Sequence, residues 1–204
     1  KSIYEVIMGR MKLTDLMEET EFKNLFIAGS DVRLANAELE LVEVEKREYR
    51  LKTAVQSVQQ DFDFIFIDCP PSLGLLTINA LGAADSVLIP IQCEYYALEG
   101  VASLMNTISR VKKTINPHLE IEGVLLTMLD GRTNLGLQVV DEVKKHFKKQ
   151  VYATVIPRSV RLGEAPSHGE PIHVYDKRSA GCVAYVNLAK EVLKRNNIKV
   201  KEFK

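Results

Sequence analysis

One aspartate, Asp68, stands where metal-dependent phosphate chemistry could take place. It follows the apolar run Phe64–Ile67, which is typical of a buried strand, and it precedes Pro70 and Pro71. A carboxylate at the exit of such a strand can hold Mg²⁺ through water beside the phosphates of a nucleotide. The prolines stiffen the turn, because they restrict φ and donate no N–H. The same pattern fits an aspartate that caps the following helix or stabilises its own turn, and these residues alone leave both interpretations open.

Three further apolar segments also run directly into polar or rigid residues. Those residues are Gln92-Cys93-Glu94, Asp130–Asn134 and Pro157-Arg158. Ligands of open α/β sheets bind beyond the carboxyl ends of the strands. We therefore expect the residues at these strand ends to share one edge of a sheet: Asp68, Gln92, Asp130 and Pro157.

The elements that position these residues alternate between strands and helices. Predicted strands cover Asn24–Ala28, Phe62–Ile67, Ser86–Ile91, Ile121–Leu129 and Val151–Ile156. Predicted helices cover Ser2–Met8, Asp31–Gln60, Ser72–Ala84, Tyr95–Ile115, Asn134–Lys149 and Ser179–Arg195. Apolar strands separated by amphipathic helices predict an α/β fold with a doubly wound, mostly parallel sheet and helices on both faces. No linker or repeat interrupts the chain, so residues 1–204 are predicted to form a single domain.

Composition narrows the function classes. The 27 basic side chains are balanced by 27 acidic ones, so any nucleic-acid binding requires a local concentration of positive charge. No apolar run reaches the length of a membrane span, and no signal peptide opens the chain. The three cysteines are too few and too scattered for a disulfide framework. These features predict a cytoplasmic protein without membrane attachment.

Four segments, in chain order, resemble the ParA/Soj family of partition ATPases. Asp61–Leu81, which contains Asp68, is similar to the family's Walker B strand and the helix that follows it. The other three segments are Gln92–Gly100, Gly123–Gly136 and Thr154–Gly169. Together they cover essentially the whole chain, and the resemblance is strongest to the chromosomal, Soj-like branch.

The resemblance implies a P-loop NTPase-like ATPase of the deviant Walker A class that binds ATP and Mg²⁺ and forms a homodimer around two ATP molecules. The dimer would coat DNA without sequence preference, in association with the nucleoid, and a ParB-type partner would stimulate hydrolysis. By the same resemblance, Asp68 is the catalytic Walker B carboxylate and holds Mg²⁺ through water. Pro157 and Arg158 would contact the adenine, and Arg132 and Arg161 would contact DNA.

A physical argument also favours DNA contacts by Arg132 and Arg161. Both are predicted to lie in loops after strands or in connections poor in helix, where a side chain can reach a phosphate backbone. The guanidinium group suits bidentate phosphate contacts. Without the resemblance, a surface ion pair is the commoner fate of such an arginine. Lys177-Arg178 could extend a basic patch, although a solvated charge pair explains these residues equally well.

The family's phosphate-binding loop has no counterpart in these 204 residues, since no GxxxxGK[ST] sequence or relaxed version of it occurs. Backbone N–H groups of that loop, together with its lysine, attract the β and γ phosphates. The chain as given is therefore expected to bind ATP weakly and to hydrolyse it at the background rate. The sheet is also expected to lack its first strands, which leaves strand edges without partners.

These features are compatible with three kinds of protein. We expect a partition ATPase whose phosphate-binding loop lies in a preceding segment of a longer protein. The alternative is a relative that lost the loop and kept DNA or partner contacts without hydrolysis. A MinD-like membrane-cycling ATPase is less favoured, because the tail Asn196–Lys204 has the pattern of a short strand or loose tail, whereas that class ends in an amphipathic helix.

Overall fold

The computed structural model describes residues 1–198, which form two compact units. The first unit consists of Lys1–Ser86 and Leu104–Glu120, and the second of Val87–Ser103 and Ile121–Lys204. No helix within the described residues is long and apolar enough to cross a lipid bilayer.

Helices and strands alternate strictly between residues 75 and 157, as the sequence predicts. The strands are β1 (Glu18–Glu19), β2 (Phe26–Ile27), β3 (Ser86–Gln92), β4 (Glu120–Leu129) and β5 (Val151–Pro157). The helices are α1 (Ile3–Ile7), α2 (Leu34–Glu40), α3 (Arg50–Gln56), α4 (Leu75–Ala83), α5 (Ala97–Thr114), α6 (Asn134–Phe147), α7 (Val160–Glu164), α8 (Ile172–Tyr175) and α9 (Ala180–Arg195). From α4 onward, the predicted elements agree with these bounds to within about one helical turn.

The main sheet has the strand order β3-β4-β5, and its strands run parallel. Its central strand, β4, is buried on both faces. Leu125 packs in a core with Tyr152 of β5 and Ala184 of α9. Val124 and Leu126 point to the opposite face, because side chains alternate along a strand, and they are fully buried as well. The predicted α/β fold with a parallel sheet covered on both faces is therefore confirmed.

The first unit is held together by helices that pack around α4. Asn79 of α4 is fully buried at the centre of these contacts. Its side chain accepts the N–H of Leu51 at 3.2 Å and donates to the carbonyl oxygens of Arg47 and Leu75 at 2.9 and 3.0 Å. A buried amide that makes all these bonds avoids the cost of unpaired polar groups. Asn79 thus ties α3 and the 3₁₀ turn before it to α4.

The predicted helix Asp31–Gln60 is wrong over its middle third. The chain forms α2, then a turn in which Lys46 adopts a left-handed conformation with φ of 56°, and then α3. Residues 43–48 are all charged except Val44, so they form no apolar stripe that packing could stabilise. The apolar spacing that motivated the prediction begins at Leu51, inside α3.

Two predicted strands also differ from the structure. Phe62–Ile67 joins no ladder, and Ile65 and Phe66 are exposed. Of Asn24–Ala28, only β2 is paired, in a short antiparallel ladder with β1. A segment rich in aromatic and β-branched residues forms a strand only when a neighbouring segment pairs with its backbone N–H and C=O groups. No described residue pairs with Phe62–Ile67 in this way. From residue 199 onward, the predicted tail Asn196–Lys204 lies outside the described residues.

Candidate functional site

The carboxyl ends of β3, β4 and β5 meet at one edge of the sheet in the second unit. The N–H of Cys93, just after β3, donates to the carbonyl of Thr127 at 2.9 Å, and the N–H of Arg158, just after β5, donates to the carbonyl of Leu129 at 3.0 Å. The prediction that Gln92, Asp130 and Pro157 share an edge is confirmed by this topology. The position of Asp68 relative to that edge stays a prediction, because Asp68 belongs to the first unit.

The loop after β4 is organised by Asp130. Its carboxylate accepts the backbone N–H of Arg132 at 3.1 Å and, through both oxygens, the Nε and Nη2 groups of Arg132 at 2.8 and 2.7 Å. Thr133 donates to the Asp130 carbonyl and then caps α6 by accepting the N–H of Gly136. The Arg132 guanidinium holds the pKa of Asp130 well below its usual range, and the Asp130 carboxylate raises the pKa of Arg132. The result is an ordered loop whose arginine side chain is 88% exposed.

A bulge at the end of β4 directs this loop. From Leu126 to Leu129, β4 advances three residues while β5 advances two, from Val155 to Pro157. Met128 takes up the extra residue with φ of 56°, a left-handed conformation that is uncommon for a bulky side chain. Bulges of this kind bend a strand and redirect the chain beyond it, and they occur frequently beside functional sites.

Pro157 and Arg158 lie at the end of β5, as the sequence predicts. The Arg158 guanidinium is paired with the Glu94 carboxylate, and both side chains are about half exposed. Arg158 also contributes to the lowered pKa of Asp130, so its charge acts on the loop after β4. The edge of the sheet therefore carries a network of alternating charges from three consecutive strand ends.

The expectation that Arg161 lies in a connection poor in helix is wrong. Arg161 lies in α7, and the chain continues through a 3₁₀ turn into α8. Its Nη1 donates to the Glu164 carboxylate at 2.9 Å, and its Nε lies 3.5 Å from the Asp176 carboxylate. The Arg161 side chain is 56% exposed despite these contacts. The helices α7 and α8 have only five and four residues, which is too short to show an apolar period in this segment.

The carboxylate partners of the arginines were missed by sequence reasoning. Arg161 and Glu164 are three apart on one helix, and Asp130 lies in a loop, where an aspartate often accepts the N–H two residues on. Local spacing therefore carried a signal for both pairs. Glu94 and Arg158 are 64 residues apart, and no local pattern could join them.

Asp68, in the first unit, is exposed and forms no ion pair with residues 1–198. The capping interpretation finds no support, because Gly74 is the N-cap of α4 and the N–H of Leu76 donates to Glu38 at 3.1 Å. A carboxylate oxygen is the ligand type that Mg²⁺ prefers. No group of three His, Cys, Asp or Glu side chains gathers around a possible metal position in the described part of the chain.

Comparison with known proteins places these features in a family. A family model described as an AAA domain matches residues 1–121. The sporulation initiation inhibitor protein Soj of Bacillus subtilis is 58% identical over 190 residues, which cover 93% of this chain and 75% of that protein. The chromosome partitioning protein ParA of Myxococcus xanthus is 50% identical over 198 residues, covering 97% of this chain and 70% of the relative.

The fold has solved counterparts. A cobyrinic acid a,c-diamide synthase of Mycobacterium smegmatis, crystallised with ADP and magnesium, superposes with a TM-score of 0.82 at 34% sequence identity, over 97% of this chain and 73% of that one. This likeness concerns the fold, and the two partitioning relatives show the family. The chain belongs to the Soj/ParA family of chromosome partitioning proteins.

Proposed function

We propose that this chain acts in chromosome or plasmid segregation as a partition ATPase in which residues 1–204 work as one domain. With ATP and Mg²⁺ it forms a homodimer that binds DNA without sequence preference, in the cytoplasm and on the nucleoid. A ParB-type partner stimulates hydrolysis and release. The names of two relatives support this role, since one is a chromosome partitioning protein ParA and the other a chromosome-partitioning ATPase Soj.

The observation that carries the DNA-binding part is the placement of two exposed arginines beyond neighbouring strand ends. Arg132 follows β4 by three residues, and Arg161 follows β5 by four. Leu129 and Pro157, the last residues of these strands, are register partners, so the two arginines leave from adjacent points of one edge. A guanidinium offers paired N–H donors to a phosphate, and phosphate contacts carry no sequence information. This arrangement supports a sequence-independent DNA surface.

The nucleotide contacts are proposed by the same family resemblance. Asp68 holds Mg²⁺ through water, and Pro157 and Arg158 contact the adenine with a rigid ring and a planar guanidinium, which stacks well on aromatic faces. Bound Mg²⁺ neutralises charge on the phosphates. The mycobacterial structure, crystallised with ADP and magnesium, supports the binding of a nucleotide and Mg²⁺.

A second candidate is a DNA- or partner-binding protein without hydrolysis. The observation that favours it is the exposure of Arg132 and Arg161, whose guanidinium groups can meet phosphates whether or not a nucleotide is bound. The two candidates differ in whether nucleotide changes DNA binding.

The experiment compares binding to two unrelated DNA duplexes of equal length, each with and without Mg-ATP, by fluorescence anisotropy. The proposal predicts equal affinities for the two sequences, a steep loss of affinity with salt, and tighter binding with Mg-ATP. Affinities that are equal for the two sequences and do not change when Mg-ATP is added favour the second candidate. A tenfold preference for one sequence, or no binding at low salt, overturns sequence-independent DNA binding in both candidates.

A further inference from the structure

Each arginine to which a ligand is assigned at this edge is held by a carboxylate of the same unit. Asp130 holds Arg132, Glu94 pairs with Arg158, and Arg161 is shared by Glu164 and Asp176. Glu164 is further fixed by the hydroxyl of Tyr175, which donates to it at 3.1 Å. The arginines that are proposed to bind DNA are thus already engaged by fixed negative charges.

The Asp130–Arg132 pair has the geometry of a phosphate contact. Two carboxylate oxygens receive Nε and Nη2 at 2.8 and 2.7 Å, and this is the forked arrangement with which an arginine binds two oxygens of a phosphate. The Asp130 side chain is 23% exposed, whereas that of Arg132 is 88% exposed. The carboxylate is therefore fixed by the loop, while the guanidinium can turn outward.

DNA binding must then disturb this pair. A phosphate that takes both donors displaces the carboxylate, and a phosphate that shares them lies close to a second negative charge. Either outcome lowers the affinity. An exposed ion pair is a weak interaction, so the pair can reduce affinity by a factor of about five and still open readily.

We propose that Asp130 is a built-in competitor of DNA phosphate for Arg132, and that Glu164 has the same role for Arg161. The inference rests on the proposed DNA-binding function and adds to it. These carboxylates keep each contact weak, so that the bound protein exchanges quickly and its release needs little further input.

The test measures affinity for a random-sequence duplex at a fixed salt concentration, with Mg-ATP present. Asp130→Asn retains a side-chain oxygen that can accept the N–H of Arg132, so the turn is kept while the charge is removed. We expect binding to tighten about fivefold, and about tenfold or more when Glu164→Gln is added. The matched control is Glu142→Gln, which makes the same change in net charge at an exposed pair with Lys145 on α6. It should change affinity less than twofold.

A double-mutant cycle separates competition for the arginine from simple repulsion of DNA. In an Arg132→Ala background, the gain from Asp130→Asn should fall to the level of the Glu142→Gln control. An equal gain in both backgrounds overturns the inference, as does weaker binding by Asp130→Asn. If Asp130→Asn does not fold, Glu164→Gln in the presence and absence of Arg161 gives the same test. Unchanged affinity on removal of both arginines would refute the DNA-binding proposal itself, which is a distinct result.

Discussion

Replacing Glu191 by alanine is expected to destabilise the second unit, because this side chain satisfies the backbone of β5. The register of β5 on β4 shifts between Val151 and Val155: β5 advances four residues while β4 advances two. The N–H groups of Ala153 and Thr154, inside this irregular stretch, donate to the two carboxylate oxygens of Glu191 at 2.8 and 3.0 Å. Glu191 on α9 therefore takes the place of a neighbouring strand.

The size of the effect can be worked out from these bonds. A hydrogen bond to a charged group contributes about 1.5–3 kcal/mol, and the Glu191 side chain is only 18% exposed. Losing two such bonds should cost about 3 kcal/mol. Glu191→Gln keeps one good acceptor and should cost about half as much. Loss of the pair with Arg195, 3.1 Å away, adds little, since Arg195 keeps its bonds to the carbonyl oxygens of Glu122, Gln150 and Val151.

The assay is urea unfolding combined with amide hydrogen exchange, which reports on single N–H groups. The variant should lower the unfolding midpoint and speed exchange at Ala153 and Thr154 more than elsewhere. Glu142→Gln, which removes an exposed carboxylate on α6, should leave both readouts unchanged. An unchanged midpoint together with unchanged exchange at these two amides would refute the reasoning.

The effect should also depend on pH. Burial alone raises the pKa of Glu191, but the N–H groups of Ala153 and Thr154 and the pair with Arg195 outweigh it and set the pKa below its ordinary value of 4.5. A lowered pKa in the folded state means that the stabilisation is fully present above about pH 4.5 and is lost as pH falls through the lower, folded-state pKa. The difference between the protein and Glu191→Gln should therefore shrink below that pH.

Three further predictions concern the first unit. Asn79→Ala should lower the free energy of unfolding by about 2–3 kcal/mol, because the buried N–H of Leu51 loses its acceptor, and urea unfolding checks this. Asp68→Ala should abolish magnesium-dependent ATP hydrolysis, which a phosphate-release assay checks; turnover that survives this change would contradict the proposed role of Asp68. Cys69 should react with iodoacetamide faster than the two buried cysteines, Cys93 and Cys182. Although Cys69 is exposed as a residue, partial desolvation of its sulfur and the neighbouring Asp68 charge raise the pKa of its thiol. Asp68→Asn should therefore speed its alkylation at pH 8, and an unchanged rate would contradict this effect of the Asp68 charge.

Sequence patterns predicted the second unit well, because its elements carry complete local signals. The run Ile121–Leu129 is apolar over its whole length, and α6 begins where Thr133 supplies a capping hydroxyl. The shared edge of Gln92, Asp130 and Pro157 then results from the preference of parallel strands for helical crossovers.

The features that the patterns could not give depend on partners distant in sequence. Phe62–Ile67 has the composition of a strand, but pairing is a property of two segments, and the composition of one does not supply the other. Glu191 accepts N–H groups of β5 that lie 37 and 38 positions away in sequence. From the sequence alone, its carboxylate is indistinguishable from an exposed charge on an amphipathic helix. The helix is interrupted near Lys46 because this residue adopts a left-handed backbone conformation, which a lysine in the sequence does not predict.

The measurement that tests the central claim most directly is the salt dependence of DNA binding by the Arg132→Ala, Arg161→Ala double variant. Each phosphate contact contributes about 0.9 to the slope of log affinity against log salt concentration. If these arginines form the sequence-independent DNA surface of a partition ATPase, the slope should fall by about two units and affinity should weaken alike on unrelated sequences. A slope and an affinity equal to those of the unaltered protein would contradict the account.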